Sequence, residues 1–355
     1  MKSARTLHTP AQRLASASNR MALVLCSDKN LHWQSAFALL RHAKQDRGGA
    51  VDLYYYTTDA LSQGLDRLLR PRVTIRYWNE GLTEAGYRRP EHVTEATLLR
   101  IFALDELALT YDTVVYTDSD VFLRWGSFAD LGQLNLGDAP IAAVRDRTLW
   151  GAPASGWLSR RYFANLPPGT HGRYFNAGVL VANSDVWLSR KTSTAALEFL
   201  KSFPQVCHYG DQSALNAAVN GDWAELSPSW NWQADFRYDH LIPTRNPRLV
   251  HFTGPAKPWK DRMLRFDEYY FQMMREFLME TGLEEELGVV SRTRFDASKE
   301  RLRTKVLAES KPRDFLGLRD IVKPYIDRSD FVDVLQGVAS YGWRKDPMVA
   351  TAPGP

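Results

Sequence analysis

The sequence predicts an α/β fold with a mostly parallel central sheet, and three observations carry this. Short apolar runs alternate along the chain with stretches of helical periodicity. Several of those runs are rich in β-branched and aromatic residues, the composition of buried strands. The chain has 355 residues, 44% hydrophobic and 24% charged. That is ordinary globular composition, long enough for one large domain with appendages or for two domains.

The first apolar run, Met21 to Cys26, turns polar at Ser27-Asp28-Lys29-Asn30 and reads as a strand followed by a loop. A helix follows from Leu31 to Ala43, with Leu31, Ala36, Leu39 and Leu40 at helical spacing. Val51 to Tyr56 and Val73 to Trp78 are the next strands, and Thr94 to Leu109 is a helix burying Leu98, Ile101, Phe102 and Leu109. Val114 to Thr117 is a strand running into Asp118, and further strands are expected at Ile141–Val144, Phe175–Ala182 and Arg248–Phe252. Leu149 to Tyr174 mixes Trp150, Gly151, Pro153, Gly156, Trp157 and Gly169, the composition of a long loop. Such a loop is a candidate lid and acceptor wall, with Trp150 and Trp157 as stacking platforms. Trp230-Asn231-Trp232-Gln233 is a candidate for the same wall; core packing accounts for both segments equally well.

Three segments follow from these patterns: a flexible basic arm (1–20), the main domain (21–283) and a helical, charged C-terminal extension (284–355) with exposed helices and a frayed end. The arm holds Lys2, Arg5, Arg13 and Arg20 and no acid. A net charge of +4 is too mild to point to nucleic acid. Two cysteines, Cys26 and Cys207, make neither a disulfide framework nor a zinc spacing, and fit a reducing, cytoplasmic compartment. No apolar run approaches the ~20 residues that cross a bilayer, so membrane association is expected to be peripheral at most.

The most informative stretch is Val114-Val115-Tyr116-Thr117-Asp118-Ser119-Asp120. Strand alternation would project Asp118 and Asp120 to one side with Ser119 pointing away. Two carboxylates that close repel each other, and a Mg²⁺ or Mn²⁺ ion resolves the conflict with hard oxygen ligands. At the carboxyl end of a strand in an open α/β sheet, the ion would lie where ligands usually bind. Taken alone, the tripeptide reads equally as a solvated turn. His251, at the end of an apolar strand, offers a third ligand. In the string His251 to Trp259, Gly254 lets backbone N–H groups approach an anion and Lys257 supplies a charge for phosphate, while Pro258 and Trp259 stiffen the loop. Arg100 suits a pyrophosphate, with a surface salt bridge as the alternative. Asn176 opens a strand in which Gly178 permits close approach by another group. Asp211 has the place of a helix N-cap, with Gln212 in the first turn.

In this order, with Asp28 after the first strand, these motifs resemble glycosyltransferase family 8, which includes glycogenin and bacterial lipopolysaccharide galactosyl- and glucosyltransferases. The resemblance runs from about Met21 to Trp259. It implies a GT-A fold (Rossmann-like), a UDP-sugar donor, Mn²⁺ (Mg²⁺ as the substitute), transfer of a hexose to a carbohydrate or glycolipid hydroxyl, and retention of anomeric configuration. By the same resemblance Asp118, Asp120 and His251 hold the metal, and Asp28 and Asn30 meet the uracil and ribose. Arg100, Gly254 and Lys257 lie at the pyrophosphate, while Asn176, Asp211 and Gln212 hold the sugar. Two residues depart from the usual pattern: Cys26 stands where a small residue is common, and Ser119 where Ala is frequent.

Retention would ordinarily call for a carboxylate nucleophile, but the matching residue is Gln212, a poor nucleophile. Same-face internal return, with the departing phosphate oxygen taking the acceptor proton, is therefore expected over double displacement through Asp211. Two other readings compete: a catalytically silent sugar-nucleotide binder, and a phosphatase of the haloacid dehalogenase type, whose pattern wants Thr or Val where this chain has Phe122.

Overall fold

The computed structural model describes residues 20–46, 50–78, 96–151, 162–235, 238–254, 257–259, 266–283 and 322–338. Its centre is a seven-stranded sheet in the order β3-β2-β1-β4-β7-β6-β8. The strands are β1 (Met21–Ser27), β2 (Val51–Thr57), β3 (Val73–Tyr77), β4 (Thr113–Thr117), β6 (Ile141–Arg145), β7 (Phe175–Asn183) and β8 (Ala224–Glu225). A smaller sheet, β5-β10-β9, joins β5 (Val121–Leu123), β10 (Leu249–His251) and β9 (Trp232–Gln233). All the expected strands are present within a residue or two. The first helix spans His32–Gln45, and the expected Thr94–Leu109 helix is described over Ala96–Ala108.

The parallel core runs β3-β2-β1-β4, and all seven residues of β1 are buried. Helices on both faces cover such strands, which is why they read as continuous apolar runs rather than alternating ones. One packed cluster includes Leu23, Leu25, Trp33 and Leu39; a second, on the other face, includes Ala22, Val24, Leu99 and Leu104. Each fully buried aliphatic side chain of this kind is worth about 1.5–3 kcal/mol relative to exposure.

Two features of connectivity place the site. The chain lays β2 and β3 to one side of β1 and β4 to the other, so strand order reverses between β1 and β4. Open α/β sheets bind ligands at such a switch point, outside the carboxyl ends of the strands. Strand β7 then runs antiparallel to β4, pairing Val179 with Thr117. That reversal carries the amino end of β7, with Asn176 and Gly178, to the carboxyl end of β4. In the small sheet β10 is antiparallel to β5, and its register sets His251 opposite Val121.

The C-terminal region departs from expectation where it is described. Residues 322–338 form two short helices, Lys323–Ile326 and Val332–Leu335, each exposed on one side and buried on the other rather than exposed throughout. Tyr325, Ile326 and Phe331 are buried in the main core, and the buried Asp333 accepts hydrogen bonds from Ser227 N (2.8 Å) and Ser227 Oγ (2.7 Å). Charge-rich composition hid three apolar anchors, an adjacent pair and a third five residues on. Residues 1–19, Trp157, and the parts of the extension on either side of 322–338 lie outside the described residues. Cys26 and Cys207 are both free and buried. Among the described residues no helix is long and apolar enough to cross a membrane.

Candidate active site

Asp118, Ser119 and Asp120 do not continue the strand. Strand β4 ends at Thr117, and the tripeptide turns the chain into β5, with Val121 N donating to Asp118 O (3.2 Å). The two carboxylates still converge, but by turn geometry rather than strand alternation. Ser119 points the other way, as expected, bonding Ser35 Oγ at 2.7 Å; Ser35 continues to Ser27 and Tyr55 in a buried chain of hydroxyls.

His251 closes on the pair. Its Nε2 lies 3.2 Å from Asp120 Oδ1 and 3.7 Å from Asp118 Oδ2, and one ligand atom from each residue falls within 4.8 Å of the others. The approach depends on Gly178, where a Cβ would lie 2.1 Å from His251 Cε1. The close approach expected at Gly178 is thus that of the imidazole. Two carboxylates and an imidazole are a donor set that fits Mn²⁺ or Mg²⁺. Lys257 Nζ rests against Asp120 Oδ2 and donates to Phe252 O (2.6 Å), supplying a positive charge at this carboxylate. Burial opposes a charge on Asp120, but Lys257 and His251 outweigh it and hold the carboxyl well below the usual range. Gly254 has φ +82°, the left-handed region that favours glycine, and Trp259 anchors the loop edge-on against Trp33.

Arg100 is neither free nor a surface pair. It is buried, with Nε 2.8 Å from Asp211 Oδ2, Nη2 3.2 Å from Asp118 Oδ1 and Nη1 donating to Ala177 O at 2.7 Å. Its guanidinium also covers the Tyr116 ring at 4.6 Å. Burial works against its charge, but Asp118 and Asp211 more than compensate, so the guanidinium stays protonated. Asp211 is the first residue of the helix Asp211–Val219, whose N-cap is Gly210, so the expected capping role is corrected. Burial pushes its carboxyl up to about 6 against the pull of Arg100.

Gln212 and Asn176 meet at a residue the sequence did not single out. Asp146 Oδ2 accepts from Asn176 Nδ2 and Gln212 Nε2, each at 3.3 Å, while its Oδ1 caps the turn at Thr148 N (3.0 Å). Gln212 Oε1 accepts from Ala177 N at 3.0 Å, which ties its amide to β7. An Asp after a strand is so common a turn former that nothing local marked Asp146 out.

The cavity beside these groups is lined by Cys26, Asp28, Arg100, Tyr116, Asp118 and Asp120, among others. Asp28 faces it while its Oδ1 accepts from Asn30 N at 2.9 Å; Asn30 itself is exposed and stands outside the lining. The described tryptophans of both segments turn out to be core. Trp150 is 3% exposed among Trp232, Tyr238 and Tyr325, with Nε1 donating to Arg145 O (2.7 Å). Trp230, Asn231, Trp232 and Gln233 are all buried, so they support the site from behind and form no acceptor wall.

A mostly parallel sheet with a switch-point cavity, a carboxylate–carboxylate–histidine cluster and an adjacent Arg and Lys is the arrangement of a GT-A fold. The chain belongs to glycosyl transferase family 8, whose model matches residues 57–263. It is 31% identical over 176 residues to the lipopolysaccharide 1,2-glucosyltransferase of Escherichia coli K12, an alignment covering 47% of this chain and 49% of that protein. It is also 31% identical over 177 residues to the lipopolysaccharide 1,3-galactosyltransferase of Salmonella typhimurium, covering 47% and 50%. The chain thus spans about half the length of these curated relatives. Among solved structures, galactosyltransferase LgtC in complex with donor and acceptor sugar analogues superposes with a TM-score of 0.58 at 20% identity, over 74% of this chain and 100% of that one.

Proposed function

We propose that the protein is a retaining hexosyltransferase, moving a sugar from a UDP-sugar to a hydroxyl of a glycan or lipopolysaccharide-type acceptor with Mn²⁺. The observation that carries this reading is the convergence of Asp118, Asp120 and His251, within 4.8 Å of one another, on the switch-point cavity. Family membership and the relatives' named activities support it. The phosphatase alternative loses ground because Asp118, which would be its nucleophile, is engaged by Arg100 and by Tyr116 Oη (2.5 Å).

Asp118, Asp120 and His251 would hold the metal. Bound there, Mn²⁺ supplies Lewis-acid stabilisation of the charge that develops on the leaving diphosphate. Lys257 adds a second, movable positive charge on the same side. Arg100 is committed to Asp118 and Asp211, so its part is to fix the Asp118 carboxylate rather than to grip phosphate. Asp146 orients the amide groups of Asn176 and Gln212, leaving them to position the sugar hydroxyls. With an amide where a nucleophile would stand, the acceptor hydroxyl attacks from the face the diphosphate leaves, and a departing phosphate oxygen takes its proton. Orientation of donor and acceptor is then most of the protein's remaining contribution. The cavity wall at Cys26 and Asp28 would receive the nucleotide. The protein would act in the cytoplasm, with at most peripheral attachment to a membrane.

The test is UDP release from a panel of UDP-sugars with Mn²⁺ and then with excess chelator, with Asp120→Ala alongside. Metal-dependent release from one sugar, abolished in the variant, supports the reading and identifies the donor. Binding of UDP and Mn²⁺ without release, whatever the acceptor, would instead make the protein a silent sugar-nucleotide binder.

A further inference from the structure

The polarity of one buried hydrogen-bond chain can be followed without ambiguity, because it starts from a backbone amide. Gly178 N can only donate, and it donates to Asn176 Oδ1 at 3.0 Å. That oxygen is therefore the acceptor for its second partner, Asn231 Nδ2, at 2.9 Å. Asn231 consequently turns its own Oδ1 toward His251 Nδ1, 3.0 Å away. An amide oxygen cannot donate, so Nδ1 must carry the proton. Nδ1 is thereby taken up by Asn231, and Nε2 is the nitrogen that faces Asp118 and Asp120 and would meet a metal there. Asn231 is completely buried and His251 is 4% exposed, so water does not compete for these bonds.

We propose that Asn231 is a positioning residue with two outputs: it fixes the metal-binding tautomer of His251 and, through its other end, the orientation of the Asn176 amide. The second output leaves Asn176 Nδ2 free to point at Asp146, on the sugar side. One buried amide thus joins the metal cluster to the sugar-holding groups, and its two ends have different chemistry. The two ends can be separated by substitution. Asn231→Asp keeps an acceptor for His251 Nδ1 but loses the donor to Asn176 and sets two acceptors against each other there. Asn231→Leu loses both. Outer-shell partners of metal-binding histidines commonly change metal affinity by about 10- to 100-fold.

This inference rests on the proposed metal and donor site, but its first readout does not need either ligand. In the metal-free protein, long-range ¹H–¹⁵N spectra of ¹⁵N-histidine-labelled chain, assigned with His251→Gln, report the ring tautomer. Wild type and Asn231→Asp are expected to carry the proton on Nδ1, and Asn231→Leu to lose that preference. Mn²⁺ titration should then give a Kd at least about tenfold weaker for Asn231→Leu. For Asn231→Asp it should stay within a few-fold of wild type, with the loss appearing in donor KM and kcat. A wild-type ring protonated on Nε2 alone, or an Asn231→Leu variant with unchanged tautomer and Mn²⁺ affinity, would overturn the proposal. If Asn231→Leu does not fold, Asn231→Asp decides: metal affinity falling in step with donor turnover means the two outputs are not separable. Failure of the wild-type protein to bind Mn²⁺ or release UDP would instead count against the proposed function and leave the tautomer result standing.

Discussion

Gly178 and His251 occupy the same small space: a Cβ on the glycine would lie 2.1 Å from Cε1 and 2.5 Å from Nδ1 of the imidazole. The glycine lies where the β6–β7 register shifts, but its φ is not positive, so conformational freedom is not what selects it. Its missing side chain leaves the space through which His251, on another sheet, reaches the two carboxylates.

Gly178→Ala should therefore push the imidazole off Asp118 and Asp120. We expect Mn²⁺ affinity and UDP release to fall together by about 10- to 100-fold, comparable to losing a partner that orients a metal ligand. Overpacking of this kind costs about 1–3 kcal/mol of stability. Mn²⁺ titration and urea unfolding of the same sample check both. An alanine variant with unchanged metal affinity would mean that His251 is not a ligand.

Lys257 now neutralises Asp120, so a divalent ion entering the cluster has to compete with an ammonium already there. Lys257→Met removes the competitor, and Mn²⁺ should bind more tightly, on the order of tenfold, as expected for like charges at close range in a protein. UDP release should nevertheless fall, because the leaving diphosphate loses its ammonium. Calorimetric titration with Mn²⁺ beside a turnover assay tests the opposing signs. Parallel loss of both would sink this account of Lys257.

Asp333 ties the C-terminal segment to the turn that leads to Asn231. Asp333→Ala should leave Ser227 N–H and Oγ–H buried without partners and cost about 1–3 kcal/mol. Urea denaturation is the measurement. A variant as stable as wild type would mean that the segment packs without this clamp.

His42 is completely buried on the first helix; among the described residues neither ring nitrogen has a hydrogen-bond partner, and Asp46 lies 3.9 Å away. Burial pushes its pKa from 6.5 to about 4, only partly offset by Asp46. The folded state therefore excludes a proton that the unfolded chain accepts. This contribution to stability is full above the unfolded pKa and is lost as pH falls from 6.5 toward 4. Between about pH 7 and about pH 4.5 the wild type should lose about 2–3 kcal/mol more than His42→Leu. Unfolding free energies of both proteins at the two pH values check this; identical pH dependence would show that His42 can be protonated in place.

Seven of the ten described strands were legible in the chain because a buried strand must be apolar and β-rich whatever its partner; β5, β8 and β9, two or three residues each, were too short to show. Asp118, Asp120, His251, Arg100 and Lys257 stood out because charged or titratable groups at the ends of apolar runs call for a partner. What each of them touches was not legible. Arg100 read as a free phosphate ligand, yet it is committed to Asp118 and Asp211; Asp211 read as a cap and is an ion-pair partner. Trp150 and Trp232 read equally as sugar platforms or as core, because an aromatic ring suits both and only neighbours decide. Asp146 carried no signal, and Asn231 stood out only as part of a Trp-rich run, since each is an ordinary turn residue until other elements arrive around it.

By itself, then, the sequence determined the α/β class, most of the strands and the residue types of a candidate metal and diphosphate site, because those follow from local composition and from charges that need neutralising. The tertiary structure alone decided how they meet. The antiparallel entry of β7 and the pairing of β10 with β5 bring Gly178, Asn176 and His251 to the carboxyl end of β4 from as far as 130 residues away along the chain. Hydrogen-bond polarity and steric exclusion act through space, and no pattern along the chain encodes which groups will share that space.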